Sequence, residues 1–137
     1  MNVALSHITE HLRAHNIKPS TQRIAIMKFL MENRVHPTVD MIYSVLKESM
    51  PTLSRTTVYN TVWLLAENNA IIALDIDSKN VHFDYIECNH AHFQCRKCGK
   101  IVDVLLNNFN PIYNDEIHIE TVNVYYKGLC EKCYKSK

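Results

Sequence analysis

Four of the five cysteines stand in two C-x2-C pairs, Cys95/Cys98 and Cys130/Cys133. Each pair presents two thiolates one short turn apart, and together they supply the four soft ligands that surround a tetrahedral Zn2+ at about 2.3 Å. The interval between the pairs exceeds the roughly 15–20 residues of a compact zinc ribbon, so a structural zinc here would tie down a whole strand-bearing segment. A rubredoxin-like iron centre or a redox dithiol would use the same spacing, and the helical half of the chain supports neither. A second group precedes the first pair: His90 and His92, with Asp84 upstream and Asp103 downstream. In an extended segment the two imidazoles point to one side. Imidazole plus carboxylate makes a nitrogen and oxygen site that suits Fe2+ or Mn2+ better than an all-sulfur one. The same H-x-H pattern is common as surface or core histidine, so spacing alone leaves this second metal open. Cys88, the remaining thiol, reads as a plain half-buried cysteine.

The elements that must position these groups are of two kinds. Up to about residue 70 the apolar residues recur at helical spacing. Pro19-Ser20-Thr21 starts a helix carrying Ile24, Met27, Leu30 and Met31 that stops near Asn33-Arg34; Thr38, after the loop His36-Pro37, caps a helix with Ile42, Val45 and Leu46. Ser54 caps a further helix whose apolar face is Val58, Val62 and Leu65, leaving Thr56, Tyr59, Asn60 and Trp63 on the other side and Arg55 at the edge. A polar outer face is often only a solvated one. Placed after a helix-turn-helix, it is a candidate for reading DNA, with Arg55 suited to a guanine edge or phosphate, Tyr59 to a thymine methyl and Asn60 to adenine. Trp63 is equally suited to packing against a neighbouring helix. Near the N-terminus His7, His11 and His15 share one helical face, expected to be a solvated stripe.

From Ile71 the period becomes two. Ile72, Leu74 and Ile76 alternate, Asp77-Ser78-Lys79-Asn80 turns, and Val81, Phe83 and Tyr85 alternate back. Helices followed by a hairpin make a winged helix over 1–85. A linker at 86–90 leads to a second α+β module over 91–137, with a short helix near 105–114 and a strand from Ile117 to Tyr126 expected in it.

Composition bounds what such a chain can be. At 137 residues it is one ordinary domain or two small modules, with 47% hydrophobic residues for a core and only 2 Gly and 4 Pro. Lys and Arg number 15 against 14 Asp and Glu, so nucleic-acid contact must be local rather than a polyanion coat. No apolar run approaches the roughly 18 residues of a membrane span, and the N-terminus lacks the pattern of a signal peptide. A cytoplasmic protein is expected.

With these residues placed, the sequence resembles the ferric uptake regulator family over nearly its whole length. The resemblance rests on Pro19-Ser20-Thr21-Gln22-Arg23, Val35-His36-Pro37-Thr38-Val39-Asp40-Met41-Ile42-Tyr43, Ser54-Arg55-Thr56-Thr57-Val58-Tyr59-Asn60, and the run His90 to Asp103 that contains His90-Ala91-His92 and Cys95-Arg96-Lys97-Cys98. It implies an α+β homodimer: an N-terminal winged helix-turn-helix that binds a palindromic double-stranded operator, and a small dimerisation domain with zinc in Cys95, Cys98, Cys130 and Cys133. It also implies DNA contacts from Arg23, Ser54, Arg55, Thr56, Thr57, Tyr59 and Asn60, and a repressor rather than an enzyme, with no membrane and no small organic cofactor. Within the family the chain is most similar to the peroxide-sensing branch, whose regulatory Fe2+ or Mn2+ is held by three His and two Asp. The matching residues are His36, Asp84, His90, His92 and Asp103. Asp103, where iron-sensing members commonly carry Glu, favours that branch, and the resemblance marks His36 and His90 as the ligands that gain an oxygen atom. The segment between Asp103 and Cys130 is shorter than in well-known members, and Val122 stands near where a further histidine ligand would be. The readings to be separated are therefore a peroxide-responsive repressor, an iron-availability sensor of the same family, and a small non-haem iron enzyme.

Overall fold

The computed structural model describes residues 3–85, 90–105, 116–119 and 122–136, with His90 described by its backbone alone. The chain divides into two compact units, Met1–Ile86 and Glu87–Lys137.

The first unit contains α1 (Leu5–Ala14), α2 (Thr21–Glu32), α3 (Val39–Leu46), α4 (Arg55–Glu67) and an antiparallel hairpin of β1 (Ile72–Leu74) and β2 (His82–Asp84). Three of the four helices start where a hydroxyl accepts an otherwise unpaired backbone N–H: Ser20 takes that of Arg23, Thr38 that of Met41, and Ser54 that of Thr57. Ile8 and Leu12 of α1, Ile26, Met27 and Leu30 of α2, Ile42 of α3, and Val58, Val62 and Leu65 of α4 bury their side chains in one core. This is a helix-turn-helix followed by a wing. Trp63 packs its ring edge-on to Phe83 of β2 at 5.5 Å, so it braces the wing rather than facing outward with Tyr59 and Asn60. The strands are three residues each, shorter than the alternation suggested. Ile76 is buried although it lies beyond β1.

Both α1 and α4 end on a left-handed Asn. Asn16 has φ 61° and Asn69 φ 62°, and the Ile17 and Ala70 amides reach back to Leu12 and Leu65, closing Schellman turns. The histidine face of α1 meets the second of these turns. His11 Nε2 lies 2.8 Å from the Ala70 carbonyl and His15 Nδ1 3.0 Å from that of Asn68, while His7 is exposed. The stripe is thus a seam, not a solvated surface: the carbonyls of a helix end need donors and two histidines supply them. Burial, partly offset by the bond to Ala70, sets the His11 pKa below its ordinary value. The unfolded chain then binds a proton that the folded one resists, so stability present above about pH 6.5 falls as pH drops towards the lower folded value. His11→Gln should flatten that dependence between pH 7 and 5, read as the shift in urea midpoint.

The second unit holds β3 (His90–Cys95), β4 (Ile101–Leu105), β5 (Tyr125–Gly128) and α5 (Glu131–Lys135). Its sheet has the order β4-β3-β5, antiparallel between β3 and β4 and parallel between β3 and β5. Residues 117–119 and 122–124 carry no regular element; the strand expected from Ile117 begins only at Tyr125, the residue paired with His92, and runs on to Gly128. Alternation licenses a strand, but a partner makes one. Helix α5 was not foreseen. The helix expected near 105–114 lies outside the described residues, except Leu105, which closes β4. The linker residues 86–89, Cys88 among them, also lie outside, and β3 starts at His90, the last residue assigned to that linker.

Candidate metal centres and nucleic-acid interface

The four cysteines of the two pairs meet. One sulfur from each of Cys95, Cys98, Cys130 and Cys133 lies within 4.8 Å of every other, and Cys98 and Cys130 are 3.9 Å apart with no disulfide among them. A tetrahedron with metal–sulfur bonds of about 2.3 Å has edges of about 3.8 Å, so the cluster fits zinc. The sheet register produces it: β5 pairs its Gly128 with Cys95, the Arg96 amide donates to the Gly128 carbonyl at 2.8 Å, and Cys130 follows as the residue that opens α5, with Cys133 buried on that helix. Gly99 closes the first knuckle at φ 80°, a conformation that side chains resist. There the Cys98 amide points at Cys95 Sγ from 3.5 Å. That amide and the one at Cys130 draw the Cys95 thiol down to about 5. Cys133, sharing a proton with Cys130 and buried, is pushed up to about 12. Four crowded sulfurs cannot all ionise without a cation among them.

The candidate nitrogen and oxygen ligands occur as two preformed pairs, one in each unit. In the first, His36 Nε2 stands 3.5 Å from Asp84 Oδ2. His36 has φ 55°, left-handed and directly before a proline, where residues ordinarily extend; such strain costs on the order of 1–3 kcal/mol and concentrates at functional sites. Asp84 is only 2% exposed, and its other oxygen takes the Arg34 guanidinium at 3.3 Å. A buried carboxylate needs such partners. In the second unit His92, 2% exposed, lies across the β3–β4 ladder from Asp103, with Nε2 3.3 Å from Oδ1. The His90 side chain lies outside the described residues. Arg34 was missed by sequence reasoning, and a cation two residues before His36 was the available signal.

The face expected to meet DNA is open at Ser54, Arg55, Thr56, Tyr59 and Asn60. Thr57 is half-buried and bonded to Ser54 Oγ at 2.9 Å, so it serves the helix cap. Arg55 is engaged by Asp40 at 3.2 Å and lies over the Tyr43 ring. Beside it a groove of about 540 Å3 runs between α4 and the wing, lined by Thr56, Tyr59, Lys79 and Asn80 among others. Arg23, held by the Lys18 carbonyl, lines a second groove of about 630 Å3 with Lys18, Gln22 and Asn60. Lys18 and Lys79, unmarked in the sequence, add cations at the two margins.

A wing on a helix-turn-helix, followed by a small sheet stapled at four cysteines, defines a metal-binding winged-helix protein. Residues 14–126 match the ferric uptake regulator family. The chain belongs to that family, whose members are metal-dependent transcriptional regulators and not enzymes. It is 32% identical over 127 residues to the peroxide-responsive repressor PerR of Staphylococcus saprophyticus, covering 89% of this chain and 86% of that one. It is 29% identical over 138 residues to the peroxide operon regulator of Bacillus subtilis, covering 97% and 95%. The fold is shared with the Helicobacter pylori ferric uptake regulator, a protein described as having three functional metal-binding sites, at TM-score 0.73 and 18% identity over 96% of this chain and 95% of that one. No described helix is long and apolar enough to cross a membrane.

Proposed function

We propose that this protein is a homodimeric repressor that binds a palindromic operator when Fe2+ or Mn2+ is held by His36, Asp84, His90, His92 and Asp103, and that hydrogen peroxide ends repression by oxidising His36 or His90. Residues 1–85 bind the DNA through Arg23, Ser54, Arg55, Thr56, Tyr59 and Asn60; 86–89 connect; the chain from β3 onward dimerises and holds structural zinc. The observation that carries this reading is the paired imidazole and carboxylate in each unit, His36 with Asp84 and His92 with Asp103, built without sulfur and apart from the cysteine cluster. Asp103, the shorter carboxylate, and the peroxide-responsive relatives favour the peroxide branch over iron availability.

Ligands drawn from both units give an ion different affinity for a closed arrangement than for an open one, which is what an effector needs in order to shift the population. Ferrous ion, when bound, supplies the reduction of peroxide that leaves an oxidant beside its ligands. The chain's part is to hold imidazoles there. An imidazole that has gained oxygen donates poorly, the ligand set is broken, and the recognition helices lose the spacing a palindrome requires. The cysteines are protected from the same chemistry, since zinc is redox-inert and caps their thiolates.

The test uses anaerobic, zinc-loaded protein on a candidate operator. Release by peroxide with Fe2+ and not with Mn2+, with one added oxygen on the His36 or His90 peptide, is the expected result. Metal-dependent binding indifferent to peroxide with both ions would make it an iron-availability sensor. Arg34 offers a second check. Its cation shares Asp84 and opposes a divalent ion through Coulomb repulsion, so Arg34→Met should tighten Mn2+ binding on the order of tenfold, measured by calorimetry.

A further inference from the structure

The strained loop that carries His36 is gripped by the wing at two points. The Phe83 amide donates to the Pro37 carbonyl at 2.9 Å, and the His82 ring meets the His36 carbonyl through Nδ1 at 2.6 Å. The other ring nitrogen, Nε2, lies 3.0 Å from Asp77 Oδ2 in the turn between β1 and β2, where Asp77 Oδ1 also accepts the Lys79 amide at 2.9 Å. A carbonyl only accepts, so the bond to His36 is one that Nδ1 donates. His82 is largely buried in this bridge, 14% exposed at its side chain, and it stands two residues from Asp84 on the same strand. None of the sequence motifs contains it.

A residue before proline relaxes towards extended backbone unless something holds it, and here the clamp falls on the carbonyl of the strained residue itself. We infer that His82 is a positioning residue for the regulatory site: its Nδ1–H fixes the His36 carbonyl, and so the left-handed backbone that brings the His36 imidazole to Asp84. Asp77 acts one step further out, by holding the plane of the ring. The inference rests on His36 being a ligand of the regulatory ion, as proposed above. Groups that orient a ligand without touching the metal change affinity by roughly 10–100-fold.

Two substitutions of like chemistry and different reach separate the bonds. The amide nitrogen of Asn sits where Nδ1 does and that of Gln where Nε2 does, so His82→Asn keeps the donor to His36 and His82→Gln keeps the one to Asp77. Zinc-loaded protein is titrated with Mn2+ by calorimetry, and each variant is melted without Mn2+. His82→Gln should weaken Mn2+ binding at least tenfold, with His82→Asn within about threefold of the parent and both melting near it. Parent-like binding by His82→Gln, or equal loss in both variants, would overturn the inference, because the carbonyl bond would then not be the cause. A melting loss in His82→Gln that accounts for its weakened binding would overturn it too, by making the role merely structural. His36→Ala is measured alongside. If it binds Mn2+ as the parent does, the ligand assignment has failed; if it loses binding and His82→Gln does not, only the positioning role has.

Discussion

Replacing Cys95 by serine should leave the protein without bound zinc and its second unit without fixed structure. The three strands there are short, and exposed Leu105 and Tyr126 show how little of their surface this unit buries by itself. A module this small commonly depends on its metal, and structural zinc contributes about 10–16 kcal/mol in isolated fingers, more than the stability of most whole domains. Removing one of four thiolates both lowers affinity and uncouples β3 from α5, since Cys95 ends the first and Cys130 opens the second. The measurement is zinc content together with amide exchange across β3 to β5. Protection should be lost there and retained in α2 and α4, whose core needs no ion. Cys88→Ser, at the thiol that belongs to neither C-x2-C pair, should keep its zinc. Retained zinc and protected strands in Cys95→Ser would remove the structural role of the site.

The second large effect concerns repression. His36→Ala should weaken Mn2+ binding on the order of a hundredfold or more, and with it Mn2+-dependent operator binding, while zinc content and the melting of the metal-free protein change little. The sign for stability follows from strain: alanine removes the ligand but is no easier to hold at φ 55°. For binding, the ligand count falls and Asp84, buried beside Arg34 and His36, loses the imidazole while keeping the guanidinium. An ion that binds both arrangements equally shifts nothing. A variant that binds Mn2+ weakly should therefore follow the operator curve of metal-free protein up to proportionally higher Mn2+. Gel shift across an Mn2+ series checks this, and operator binding by His36→Ala at parental Mn2+ levels would take His36 out of the switch.

Much of this was legible in one dimension because the relevant physics is local. Caps at Ser20, Thr38 and Ser54 are read from a hydroxyl ahead of an apolar periodic run, and each bonds the amide such a cap requires. The two C-x2-C pairs needed only the coordination chemistry of sulfur. Where reading failed, the deciding partner was distant in sequence. The histidine face of α1 looked solvated because nothing near it reveals the carbonyls of Ala70 and Asn68. Trp63 could face outward or pack inward, because Phe83, which decides it, lies on another element. The strand near Ile117 looked continuous because alternation does not say where β3 will accept a partner.

The division follows the range of the forces. Sequence by itself determined which residues can ligate, cap or contact DNA, since that depends on side-chain chemistry and spacing within a turn or two. It also determined the winged helix, since each of its elements is announced by its own period. Only the tertiary structure decided that Asp84 shares its carboxylate with Arg34, that His36 is held left-handed, and that His82 reaches its carbonyl from the wing. Those facts depend on groups brought together from separate elements. A buried charge or a strained backbone persists only when such neighbours over-determine it.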